Sequence, residues 1–115
     1  MEETFYIATA RGFRIFRMSD IYFFSYEKEQ RVWQAISIDG QLFKLRRQTG
    51  ADEIIAASPA FVRINQSIII NMLHLASIEG CYVSLDAPAE YLCERDDLRV
   101  SRGYMKELKS RLFLL

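Results

Sequence analysis

The stretch best equipped for chemistry is Phe61-Val62-Arg63-Ile64-Asn65-Gln66-Ser67-Ile68-Ile69-Ile70-Asn71, where hydrogen-bonding side chains interrupt an apolar run. Asn and Gln carry a carbonyl and an amide side by side, which pairs with an adenine edge in bidentate fashion, and a Ser hydroxyl can hold a phosphate oxygen. The same residues also suit a plain turn. Asn65 to Ser67 can reverse the chain, and Asn71 can cap or turn it, the preferred reading for Asn71; for Gln66 both readings stand. Eleven of the fifteen basic residues are Arg, whose planar fork of donors fits phosphate oxygens and guanine O6 and N7. Arg31 closes a predicted hairpin, Arg63 lies beside the polar break and Arg102 opens a predicted helix. Ordinary salt bridging with the fifteen acids is the competing use of these arginines.

Other chemistries lack their residues. No Gly-rich phosphate loop, nucleophile elbow or recognised metal-ligand spacing occurs. His74, Cys81 and Cys93 together would make three ligands where a structural site wants four at tight local spacings, so buried thiols and a surface or capping histidine are expected. Asp52-Glu53 and Asp96-Asp97 are adjacent pairs that point apart on a helix or strand, whereas general acid–base work needs carboxylates converging on one atom. The expectation is no enzyme: no catalytic residue, no metal and no cofactor. The formal net charge of zero excludes a polycation that coats nucleic acid, though not a localised basic face. Two cysteines make no disulfide scaffold, and Glu2, Glu3, Arg11, Arg14 and Arg17 break any signal-peptide core. No apolar run approaches the roughly 18 residues of a membrane span. A cytoplasmic chain with no membrane partner follows, and 115 residues fit a single domain over 1–115.

The elements that must position these residues are mostly strands. Thr4 to Ala8 and Phe13 to Arg17 flank Arg11-Gly12 as a hairpin; Ile21 to Ser25 and Val32 to Ile38 flank the polar loop Tyr26 to Arg31. Asp39-Gly40 joins Val32–Ile38 to Gln41–Arg46 with the strongest short hairpin signal in the chain. Thr49 with Asp52 predicts a capped helix through Ile54-Ile55-Ala56, stopped by Pro59. Phe61 to Ile64, Ile68 to Ile70, Leu75 to Ile78, Tyr82 to Leu85 and Leu98 to Val100 read as further strands. Ser101 predicts the N-cap of a helix whose apolar positions are Tyr104, Met105, Leu108, Leu112 and Leu115. The fold class is therefore mainly β, with one short internal helix and one C-terminal helix.

At these residues the chain resembles the LytTR-type DNA-binding domains of bacterial response regulators. That signature runs Phe-x-Arg-x-His-Arg/Asn-Ser-x-x-Val-Asn, and Phe61, Arg63, Ser67 and Asn71 fall in register, followed by His74, Leu75 and Ile78. Ile21-Tyr22-Phe23-Phe24, a polar loop, a strand and Asp39-Gly40 match the opening; Val100-Ser101-Arg102-Gly103-Tyr104 with Lys106 and Leu108 matches the closing Ser-Arg-x-Tyr-x-Lys-x-Leu. The similarity covers about residues 15 to 112. It implies an elongated arrangement of small, mostly antiparallel sheets, with loops entering successive major grooves of a DNA that bends to meet them. Carried over by position, the contacts fall on Arg31, then Gln66, then Arg102 or Gly103, with Lys106 near phosphate, and Arg63, Asn65 and Ser67 complete the expected DNA-binding set.

The implied partner is double-stranded DNA, with a homodimer on DNA as one arrangement and a receiver or sensor partner outside these residues supplying the input. The sequence departs from the pattern at Asn65 and Gln66, where the family has His then Arg or Asn, at Ser25 in place of a common Glu, and at Gly103. Glu27 and Glu29 flank the first loop, while Asp86, Glu90, Glu94, Asp96 and Asp97 make the last hairpin acidic. Like charge near phosphate costs affinity. The alternative is thus a β-rich protein-interaction module that keeps the fold with weakened or lost DNA binding.

Overall fold

The computed structural model describes residues 4–9, 11–88 and 98–115. Strands β1 (Thr4–Thr9) and β2 (Gly12–Arg17) form an antiparallel hairpin that is a sheet by itself. Strands β3 (Ile21–Glu27), β4 (Val32–Ser37), β5 (Leu42–Lys44), β6 (Phe61–Asn65) and β7 (Ile68–Asn71) make the central sheet in the order β5-β4-β3-β7-β6. A second hairpin pairs β8 (Leu75–Glu79) with β9 (Tyr82–Leu85). Helix α1 (Ala51–Ala57) precedes β6, and helix α2 (Arg102–Ser110) closes the fold. The small antiparallel sheets and the two helices, one internal and one C-terminal, are those expected from sequence.

The central sheet is covered on both faces, so its inner strands read as unbroken apolar runs instead of alternating ones. Tyr22, Phe23, Ile36, Val62, Ile64, Ile68 and Ile70 face one core, closed by Val83, Leu85, Leu98, Val100 and Leu108. Ile21, Phe24, Trp33, Ala35, Phe61 and Ile69 face the other, closed by Ile7, Phe16 and Ile54. A bulge between Ile21 and Phe23 lets Tyr22 and Phe23 share a face while Ile21 and Phe24 take the opposite one. Buried Asn71 locks the layers: its amide donates to the carbonyls of Met18 (2.7 Å) and Ile21 (2.8 Å), and its oxygen accepts from Leu73 N–H (3.0 Å). This is the capping role preferred for it from sequence.

Some boundaries differ from expectation. Thr49 does not cap α1; its N–H bonds the Arg46 carbonyl in the preceding turn, and Gly50 takes the N-cap position. Asp52 and Glu53 then lie in the first turn, where carboxylates favour the helix dipole. Leu98 to Val100 is not a strand but a single bridge, Arg99 to Tyr82. Helix α2 ends at Ser110, since Arg111 N–H turns back to the Leu108 carbonyl and the Arg111 guanidinium bonds the Pro59 carbonyl at 2.6 Å. Leu112 and Leu115 therefore fall beyond the helix and are exposed, at 45% and 114%, despite their helical spacing. The radius of gyration is 13.7 Å with extents of 44 × 37 × 28 Å, close to the roughly 13 Å of a compact chain of this size.

Candidate nucleic-acid interface

The topology gathers three loops at one end of the central sheet. Loop 28–31 joins β3 to β4, and the Gln66-Ser67 turn joins β6 to β7. Because Ser25 pairs with Ile68 and Tyr26 N–H bonds the Ser67 carbonyl at 2.9 Å, both turns sit side by side. Ser101 N–H bonds the Ile64 carbonyl at 2.8 Å, which sets the first turn of α2 beside the end of β6. Arg31, Gln66 and Arg102 thus occupy successive places across this end. Strands lie about 4.8 Å apart, so the first two loops are about 10 Å from centre to centre, and Ser101 lies about 7 Å further on.

Each expected contact residue has its own surroundings. Arg31 is exposed and adopts φ 57°, the left-handed region, while its N–H bonds the Glu27 carbonyl at 2.8 Å. Gln66 is exposed at the tip of its turn, and Ser67 is half-buried beside it. Arg102 and Lys106 are exposed and four residues apart on α2, hence on one side of the helix. Among the described residues, none of Arg31, Arg102 and Lys106 forms an ion pair.

Arg63 and Asn65 have side chains engaged within the fold. Arg63 Nε donates to the Asn65 carbonyl (3.1 Å) and Nη2 to the Gln66 carbonyl (2.7 Å). Its guanidinium carbon lies 5.7 Å from the Trp33 ring centroid and 5.9 Å from that of Tyr104, within cation–π range of both. Asn65 accepts from Ser67 N–H at 2.7 Å and donates to the Arg99 carbonyl at 2.8 Å. Together they fix the turn that displays Gln66 and tie it to the segment leading into α2.

A groove beside this turn is lined by Tyr26, Lys28, Trp33, Arg63, Gln66, Ser67 and Tyr104 together with Asp52 and Glu53 of α1. Lys28 was not among the expected contacts; its only sequence signal is membership of the same polar loop as Arg31. Buried Ser25, where the family commonly has Glu, accepts from Gln34 Nε2 at 3.3 Å. His74 Nε2 lies 2.6 Å from the Ser19 carbonyl and Nδ1 lies 2.8 Å from Asp86. That ring ties the turn before β8 to the turn before β3 and to the bend after β9, and among the described residues no cluster of His, Cys, Asp and Glu is placed to hold a metal. Cys81 is a half-buried free thiol; Cys93, Glu90, Glu94, Asp96 and Asp97 lie outside the described residues.

The family model described as the LytTr DNA-binding domain matches residues 11–113. The chain belongs to the LytTR family. This places it among DNA-binding domains. The LytTR fold is matched by a solved LytTr DNA-binding domain from a Bacillus cereus protein named as a methyl-accepting/DNA response regulator. The TM-score is 0.65 at 14% identity, over 99% of this chain and 100% of that one. No curated protein matches the sequence. Among the described residues, no helix of this LytTR domain is long and apolar enough to cross a membrane.

Proposed function

We propose that this LytTR domain is the output module of a bacterial transcription regulator and reads duplex DNA with the three-loop end of its central sheet. The observation that carries the reading is the convergence of Arg31, Gln66 and Arg102 on that end, with Lys106 one turn behind Arg102. Gln66 presents its amide to a base edge, where bidentate pairing with adenine N6 and N7 supplies discrimination. Arg102 and Lys106 neutralise phosphates, and Arg31 reads guanine or sits on phosphate. Arg63 and Asn65 position the Gln66 turn, and Ser67 and Lys28 border its groove.

The outer loops lie about 17 Å apart by strand spacing. One helical turn separates successive major grooves by about 34 Å. To engage two of them, the side chains must reach outward and the duplex must bend toward the protein, at a cost that depends on its sequence. One observation favours the protein-interaction alternative: Glu27, Glu29, Asp52 and Glu53 border the same end, and carboxylates near phosphate weaken binding. Selection from random duplexes tests the reading. Enrichment of one sequence motif supports it, and no enrichment at low salt favours the protein-interaction module.

A further inference from the structure

We propose that the β1–β2 hairpin and the cavity along its edge form a docking surface for an acidic, extended segment of a partner protein, which adds as a third strand to β1. This surface lies away from the three loops of the DNA-reading end, although Glu53 of α1 lines both its cavity and the groove beside the Gln66 turn. Strand β2 runs into the turn Met18–Asp20 that starts β3, and loop 28–31 lies at the other end of β3.

The hairpin has an inner and an outer face. Ile7 and Phe16 point into the core, whereas the register sets Tyr6 opposite Ile15 and Ala8 opposite Phe13 on the outside. Tyr6, Ile15 and Phe13 are 65%, 70% and 71% exposed, and the Tyr6 and Phe13 rings meet edge to face at 5.0 Å. Clustered apolar exposure of this kind on a small domain marks an interaction site. Among the described residues, strand β1 has β2 on one side and no strand on the other. A cavity of about 440 Å³ is lined by four consecutive β1 residues, Phe5 to Ala8, so it runs along that free edge and meets both faces of the strand. Unpaired backbone groups beside an apolar cavity are what strand addition uses: the main chain gives affinity, and side-chain pockets give specificity.

Charge selects the occupant. Residues 4–17 contain Arg11, Arg14 and Arg17 and no acid, and Arg46 stands on the cavity rim. Among the described residues none of Arg11, Arg17 and Arg46 forms an ion pair. A second copy would bring these arginines together, and like charge across an interface opposes pairing. A segment that places an apolar side chain in the cavity and carboxylates toward the arginines satisfies both features. Glu53 also lines the cavity, so the acids belong near Arg46 and away from Glu53.

The test is selection from a random peptide library displayed on phage, with the intact domain as bait, followed by titration of the recovered peptides. The titrations use the wild type, the exposed-face variant Phe13→Ser with Ile15→Ser, and Arg46→Glu. We expect recovered peptides that alternate large apolar residues with Asp or Glu, that bind each variant at least tenfold more weakly, and that leave duplex binding unchanged. The proposal is overturned if no peptide is enriched, if enriched peptides lack acids, or if they bind the variants as well as the wild type. It is also overturned if sedimentation shows a dimer that the Phe13→Ser, Ile15→Ser variant dissociates, because the occupant is then a second copy. Loss of duplex affinity in these variants would instead assign the hairpin to DNA.

Discussion

Arg31 combines exposure with a backbone conformation that a side chain tolerates poorly. At φ 57° a residue other than glycine loses roughly 1 kcal/mol, and such strain is often retained where a side chain has a task. Arg31→Gly is therefore expected to raise stability by about 1 kcal/mol while lowering duplex affinity. A variant of unchanged affinity would remove Arg31 from the interface. Asp39 allows a pH prediction. A hydrogen bond from the Ser37 hydroxyl, then one from Gln41 N–H, holds its carboxyl below the ordinary 3.8. A depressed carboxylate stabilises the fold above its unfolded value and loses that contribution as pH falls through the folded one. A carboxyl titration by NMR should show Asp39 inflecting below 3.8, and an inflection at or above it would contradict the hydrogen-bonded turn. At this scale the sequence was only partly legible. The residue types at Arg63 and Asn65 suit DNA, but a bulge between them folds the guanidinium back onto the Asn65 and Gln66 carbonyls. That depends on register, which composition and spacing do not carry.

Elements were more legible than contacts, because their signals are local. Asp39-Gly40 forms its hairpin with Gly40 at φ 82°, and Pro59 leaves α1 ending at Ala57. The failures arose where a neighbour outcompeted a local rule. Thr49 is drawn into the turn with Arg46 instead of capping, and the stripe of α2 outlasts the helix because Arg111 anchors to Pro59. The docking of α2 rests on Leu108, which is fully buried among Val62, Ile64 and Leu98. Leu108→Ala should cost about 2–5 kcal/mol, whereas Leu112→Ala, at an exposed position, should stay within about 0.5 kcal/mol. Thermal melts showing equal losses for the two would refute this placement of the helix end. Detachment of α2 would also displace Arg102 and Lys106, so a Leu108 variant that still folds should bind duplexes more weakly.

For the molecule as a whole, zero net charge means that binding must come from a few local contacts and not from a general field. With about five phosphates neutralised, at about −0.9 each in the slope of log affinity against log salt, raising salt from about 50 to 200 mM should weaken binding roughly 500-fold. Lys106→Ala should weaken all duplexes about equally and reduce that slope by about one unit. The central claim, base readout from the middle loop, is tested most directly by titrating Gln66→Ala and wild type on the selected duplex and on a scrambled one at equal salt. Gln66→Ala should lose about 1–3 kcal/mol on the selected duplex and little on the scrambled one. Equal losses on both would contradict it.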